Sequence, residues 1–353
     1  MANFDDFKIA VESLSGGKNT IILDDLGMPS VMVLFPKVKN SELIAGLSET
    51  VHPAFMVNGV EKSAIYVSKY QNIVVNDRAY SLPFKDPKAS INFDQALTNC
   101  RNKGAGWSLV PFSLWAAIAL WCKKNGTMPR GNNNYGNDHA YTHEKGVETY
   151  FDTSQNKTGR VATGSGPASW NHNWASDGIA DLNGNVFEWC AGMRIKDGEI
   201  QIIPYANSML AATDLSATSI EWKAIAADGS LVAPGTAGTL KYGWDGSKLI
   251  LTTGVTTPVT VEDVQRSTGY TSLGLEAGLT AAELVKALTL YPDTPAGDYG
   301  GDQRYINTSG ERLPHCGGNW TTGSSAGVFS VNLLIPRSNS NAYIGFRSAF
   351  VNL

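Results

Sequence analysis

The chain has 353 residues, 42% apolar and 10% aromatic, enough to bury a sizeable core; its length suits about two domains, or one large domain with an insertion. Lys and Arg number 28 against 32 Asp and Glu, a net charge of −4, which argues against a surface built for nucleic acid or an anionic membrane. Charged residues make up 17% of the chain while Gly alone numbers 36, so Asn, Ser, Thr and Gly must form much of the surface.

Residues 1–58 read as a small N-terminal module. A helix is predicted over 4–14, stopped by Gly16-Gly17, and strands over 20–23 and 30–35. The start, Met1-Ala2-Asn3-Phe4, has neither the basic nor the apolar region of a secretory signal, so export by that route is not expected. The longest unbroken apolar stretch, 114–122, is less than half of the roughly 20 residues that span a bilayer, so no membrane insertion is expected. Cys100, Cys122, Cys190 and Cys316 form no C-x-x-C pair, and in a chain made in the cytoplasm they are expected as reduced thiols.

A β-rich run at 64–75 opens a second domain, 59–353. Asn92 with Gln95 three residues on predicts a capped helix over 93–102. A second helix, over 113–124, is apolar around most of its circumference and stops at Gly126. A Gly- and Asn-rich loop follows at 130–138, then a long stretch through Trp170 and Trp174 with little periodicity. Residues 195–300 read as a β-rich insertion. Asp197-Gly198, Asp228-Gly229 and Asp245-Gly246 punctuate strand-like runs at 199–204 and 248–253, and Thr280-x-x-Glu283 predicts a capping box for a helix over 284–290. The last stretch, 316–353, contains no Asp, Glu, Lys, Gln, Met or His; its charges are Arg337 and Arg347.

Three motifs invite catalytic or binding readings and fail on context. Gly323-Ser-Ser325-Ala-Gly327 matches the G-x-S-x-G nucleophile turn, but no acid or His follows it in the chain to complete a triad. Ser15-Gly-Gly-Lys18-Asn19-Thr20 lacks the leading Gly of a phosphate-binding loop and reads as a turn. His139 and His143 would share a metal on a helix, but the surrounding Asn and Gly predict a loop.

The strongest local signal combines Asp177-Gly-Ile-Ala-Asp-Leu-Asn-Gly-Asn-Val-Phe-Glu-Trp189, Gly317-Gly-Asn-Trp320 and Ile344-Gly-Phe-Arg347. Together they resemble the formylglycine-generating-enzyme branch of the C-type lectin fold, over residues 60–195 and 300–353. The resemblance implies an α+β fold in which the first two motifs are core strands and the third closes the domain, so that Cys190 and Cys316 lie close together. Within that fold, 316–353 is similar to the variable region of diversity-generating retroelement target proteins. In that family, errors at template adenines turn Asn AAC codons into NNC codons, which cannot encode Lys, Glu, Gln, Met or Trp. Aligned on that pattern, the resemblance marks Thr321, Thr322, Ser325, Leu334, Ile335, Ala342 and Tyr343 as mutable, and extends the ligand-binding face to Ser324, Asn332 and Asn341.

What this implies is a non-catalytic receptor-binding protein on a phage or prophage virion. Its ligand would be a cell-surface protein or glycan, its neighbours other virion proteins or copies of itself, and it would need no cofactor. The side chains at 321, 322, 325, 334, 335, 342 and 343 are expected to be mostly exposed and on one face. A structural virion protein using the fold as scaffold is the alternative. The oxidase relatives of the fold use a late cysteine pair, and related iron enzymes a His cluster; nothing after Cys316 is a cysteine, and His52, His139, His143, His172 and His315 show no such grouping. Asn183, Asn185 and Glu188 supply oxygens that calcium favours, with a hydrogen-bonding role at the strand as the competing reading.

Overall fold

The computed structural model describes residues 4–295 and 297–353; Met1 to Asn3 of the expected N-terminal module and Ala296 of the expected insertion lie outside the described residues. The N-terminal helix, Asp5–Ser15, ends on Gly16, whose φ of 59° suits a residue without Cβ. Strand Asn19–Leu23 then pairs antiparallel with Pro29–Pro36. Pro29–Pro36 pairs in turn with Ala64–Ser68, from Met32 opposite Ser68 to Pro36 opposite Ala64. The segment expected as a small module thus continues a five-stranded sheet, which Ser348–Phe350 and Trp107–Leu109 complete. The last strand of the chain lies between two strands from its first third, locking the ends together.

Two helices follow as the sequence predicts. Phe93–Arg101 begins in a capping box: Asn92 accepts from the Gln95 backbone N–H at 2.9 Å, and the Gln95 side chain accepts from the Asn92 N–H at 3.2 Å. Phe112–Asn125 is buried on nearly every side and stops on Gly126. Behind them a six-stranded sheet has the order Arg266–Gly269, Gln303–Ile306, Gly327–Leu333, His315–Gly317, Phe187–Trp189, Ile344–Phe346. The three motif segments therefore meet as consecutive or near-consecutive strands, with Glu188 opposite Cys316 and Gly345 beside Glu188. This is an α+β chain in which the three motif segments sit side by side in one sheet.

Residues 193–275 build most of an eight-stranded sheet, and each Asp-Gly pair turns an antiparallel hairpin in it: Met193–Lys196 with Glu199–Ile202, Lys223–Ile225 with Leu231–Val232, and Lys241–Trp244 with Leu249–Thr252. The helix predicted over 284–290 is shorter, Glu283–Ala287, and Ala282 rather than Thr280 sits at its N-cap, without a side-chain cap. The Glu283 carboxylate accepts instead from Asn40 Nδ2 at 2.6 Å, Ser48 Oγ at 2.5 Å and Ser48 N at 3.1 Å. A long-range tether replaces the local cap, because a carboxylate satisfied by three donors from another segment cannot also reach back to its own helix start.

Beneath the motif strands, Arg347 and Glu188, both fully buried, form a two-point ion pair with Nε–Oε2 2.5 Å and Nη2–Oε1 2.6 Å. The same guanidinium donates to the carbonyls of Ser68 and Ala180, each at 2.9 Å. One side chain from the closing motif thereby joins the terminal sheet, the Asp177–Trp189 segment and the six-stranded sheet.

Candidate functional site

The candidate site begins where strand His315–Gly317 ends. Gly317 and Gly318 have φ of 91° and 84°, and a Cβ on Gly318 would stand 2.5 Å from that of Ala326, so only glycine lets the chain fold back here. Asn319 fixes the turn that follows: its Oδ1 accepts from the Thr321 N–H at 2.7 Å, Thr321 Oγ1 at 2.8 Å and Thr322 Oγ1 at 3.3 Å. Trp320, only 3% exposed, anchors it. Its carbonyl accepts from Tyr135 N, and its ring lies 5.8 Å from that of Tyr150 and 6.3 Å from that of Tyr343. Gly323–Ser325 forms a single 3-10 turn, so the G-x-S-x-G match is a loop closure.

The chain returns as Gly327–Leu333, in which Val328, Phe329, Val331 and Leu333 are buried and Asn332 is half-buried. The strand is thus covered on both faces and opens only at Asn332. Asn332 stands opposite His315, whose ring lies 4.6 Å from that of Phe187; the Phe187 N–H donates to the Tyr343 carbonyl at 2.9 Å. On the other side Asn332 is beside Tyr305. Tyr305, Asn332, His315, Phe187 and Tyr343 thus follow one another across the sheet, with Trp320 beside Tyr343.

Among the ten residues expected on this face, Thr321, Ser324 and Tyr343 are exposed; Thr322, Ser325, Asn332, Leu334, Ile335, Asn341 and Ala342 are half-buried. The expectation of mostly exposed side chains at the seven mutable positions is corrected: of these only Thr321 and Tyr343 are exposed. Turn hydrogen bonds and neighbouring rings cover part of each of the others. Leu334, Ile335 and Tyr343 form no single exposed apolar patch, because Ile335 packs against the buried cluster that includes Phe93 and Leu313. Leu334 follows Asn332 on the same side, its N–H held by Asn332 Oδ1 at 2.9 Å. Asn341 turns to Asn339, its Nδ2 donating at 2.7 Å, and Ala342 packs beside Trp320.

The face carries no free charge of its own. Arg337 pairs with Glu311 at 2.8 Å and with Asp94 at 2.8 Å, and Arg347 is buried on Glu188. Among the described residues, cations reach it from the 150–160 region, which the sequence did not mark. Arg160 donates to the Ala342 carbonyl at 2.9 Å and lies over Tyr150, and Lys157 lies 4.5 Å above Tyr135. No sequence signal could have found Arg160 or Tyr305, since neither lies in a motif.

Asn183, Asn185 and Glu188 do not fit calcium. Asn183 Oδ1 accepts from Asn133 Nδ2 at 3.1 Å, Asn185 Oδ1 accepts from Val161 N at 2.8 Å, and Glu188 is filled by Arg347 and by Gln71 Nε2 at 3.0 Å. These oxygens are engaged by N–H donors, and Glu188 by a guanidinium, which is the hydrogen-bonding role the sequence offered as the competing reading. His139 Nδ1 lies 3.2 Å from Asn133 Oδ1 in the loop, while His52, His172 and His315 are buried. All four cysteines are buried free thiols, and Cys190 and Cys316 are neighbours, with Cys316 opposite Glu188 across the strand pair, the closeness the motifs implied. Burial and that neighbour push the Cys190 thiol well above its ordinary value.

No protein-family model matches the chain, and no curated protein matches it. Among solved structures it is similar to PvdO from Pseudomonas aeruginosa, with 13% identity, 94% of this chain and 97% of that one covered, and a TM-score of 0.37. It is similar to Treponema denticola variable protein 1, with 13% identity, coverage of 94% and 98%, and a TM-score of 0.35. A third likeness is to the Major Tropism Determinant P3c variant, with 11% identity, coverage of 94% and 71%, and a TM-score of 0.33. At TM-scores this low the likenesses assign no function to this chain.

Proposed function

We propose that this chain is a non-catalytic binding protein whose ligand-contacting side chains are Thr321, Thr322, Ser324, Ser325, Asn332, Leu334, Ile335, Asn341, Ala342 and Tyr343, on a face that tolerates sequence change. The observation that carries the reading is a division of labour. Residues that hold the backbone of 316–353, namely Asn319, Trp320, Phe329, Ile344, Phe346 and Arg347, are buried, and none of the ten is. Contacts made by small polar and aromatic side chains on a fixed backbone can be rewritten without refolding, as in antibody loops. The neutral character of the face suits recognition by shape and hydrogen bonds over charge steering. The resemblance of 316–353 to retroelement-diversified regions extends the proposal to a virion component recognising a cell-surface protein or glycan, with avidity supplied by arrays of copies.

A display library randomised at Thr321, Thr322, Ser325, Leu334, Ile335, Ala342 and Tyr343 tests it, with hen lysozyme as a fixed target. Folded binders with midpoints near that of the parent are the expected result. A library whose members mostly fail to fold, or which yields no more binders than one randomised at seven exposed positions of the insertion, would overturn the reading.

A further inference from the structure

A cavity of about 360 Å³ lies at the seam between the buried helix Phe112–Asn125 and the insertion, and none of its lining residues belongs to the 316–353 stretch. Its walls include Phe112 and Ser113 from the first turn of the long buried helix, Ile202 and Leu231 from the insertion sheet, and Leu284 and Leu288 from the short helix and its end. The volume is roughly ten times that of a water molecule and falls within the range of small-molecule pockets. No charged side chain lines it. A charged ligand would lose its hydration there with nothing to pair it, so the occupant must be neutral. One buried polar handle is present: the Ser113 hydroxyl, whose bond to the Tyr205 carbonyl is long at 3.3 Å and leaves the oxygen lone pairs to accept a hydrogen bond. Tyr205, with φ of 60° and half of its surface exposed, stands at the lining beside it.

We infer that this seam pocket binds a small, neutral, largely apolar molecule bearing one hydrogen-bond donor, such as an aromatic amine or alcohol of one or two rings. Because both the core and the insertion line the pocket, such a ligand brackets the two and stabilises the folded chain by mass action.

N-phenyl-1-naphthylamine, neutral, with one N–H and fluorescent when desolvated, is a suitable probe for the full chain. A saturable rise with one site per chain is expected, together with a thermal midpoint that climbs with probe concentration. Leu231→Trp fills the cavity from a half-buried position and should weaken binding at least tenfold. Ser113→Ala should weaken it severalfold, and Phe84→Ala, which removes an exposed ring elsewhere, should leave it unchanged. Should Leu231→Trp fail to fold, Leu284→Phe fills the space from the short helix and should give the same loss. Absence of saturable binding, an unmoved midpoint, or equal affinity in the filled variants would overturn the inference.

Discussion

Single side chains decide what in the C-terminal stretch is fixed. Arg347 and Glu188 are both fully buried and paired at two points, so truncating either leaves a charge in the core without its partner. Arg347→Ala should cost about 3–5 kcal/mol in denaturant unfolding. Trp320→Ala and Phe346→Ala should cost about 3–5 kcal/mol each by cavity formation. Exchanging Thr321 or Tyr343, which are exposed, should stay within about 0.5 kcal/mol; equal losses in the two groups would mean that the division between support and surface is wrong. His315 adds a pH signature. Burial pushes its pKa down from 6.5 to about 3, so below pH 6.5 the unfolded chain takes up a proton that the folded chain refuses. Its stabilising contribution is complete above pH 6.5 and drains away as pH falls toward 3. His315→Phe keeps a ring against Phe187 and Trp189 and should lose less of its thermal midpoint between pH 7 and pH 4.5 than the parent does. An unchanged difference would show that the imidazole is not what titrates.

At the scale of elements, two short pieces are held by contacts that local sequence rules do not describe. The 319–325 turn is organised by Asn319 Oδ1, which binds the Thr321 backbone as well as the hydroxyls of Thr321 and Thr322. The backbone bond survives any side chain at 321 except proline, and so the turn can carry variation. Asn319→Ala should cost about 1–2 kcal/mol and broaden the NMR signals of the turn, whereas Thr321→Ala should do neither. Helix Glu283–Ala287 has too few residues to be stable by itself. Glu283 ties it to Asn40 and Ser48, so Glu283→Ala should cost about 1–3 kcal/mol, measured by thermal unfolding, through donors left unpaired at both ends of the tether.

For the whole molecule, the decisive feature is that residues 19–36 share a sheet with the chain's last strand. Removing residues 1–58 would uncover the edge of Ala64–Ser68 and the apolar side chains of the core it shares with Val33 and Phe35. A chain beginning at residue 59 should therefore be aggregated or unfolded by circular dichroism and size-exclusion chromatography. A folded, monodisperse product would show that the segment is dispensable decoration.

Much of this was legible in advance because the governing forces are local. Asn92 and Gln95 lie three residues apart and satisfy each other's backbone, Asp-Gly pairs favour the left-handed turns of hairpins, and Gly126 closes a helix that its own apolar pattern defines. The motif strands could be placed together only through resemblance, and the pairing of Glu188 with Cys316 bears that out. What the sequence could not settle were outcomes of competition between distant partners. Glu283 found donors in another segment and abandoned its own helix cap; Ile335, expected to be exposed, settled against the cluster that includes Phe93. Arg160 arrived beside Ala342 across 182 positions. Helix caps and turns are set by hydrogen bonds within a few residues and so are written in the chain. Which face of the finished strand meets solvent depends on what else packs there, and only the assembled tertiary structure decides it.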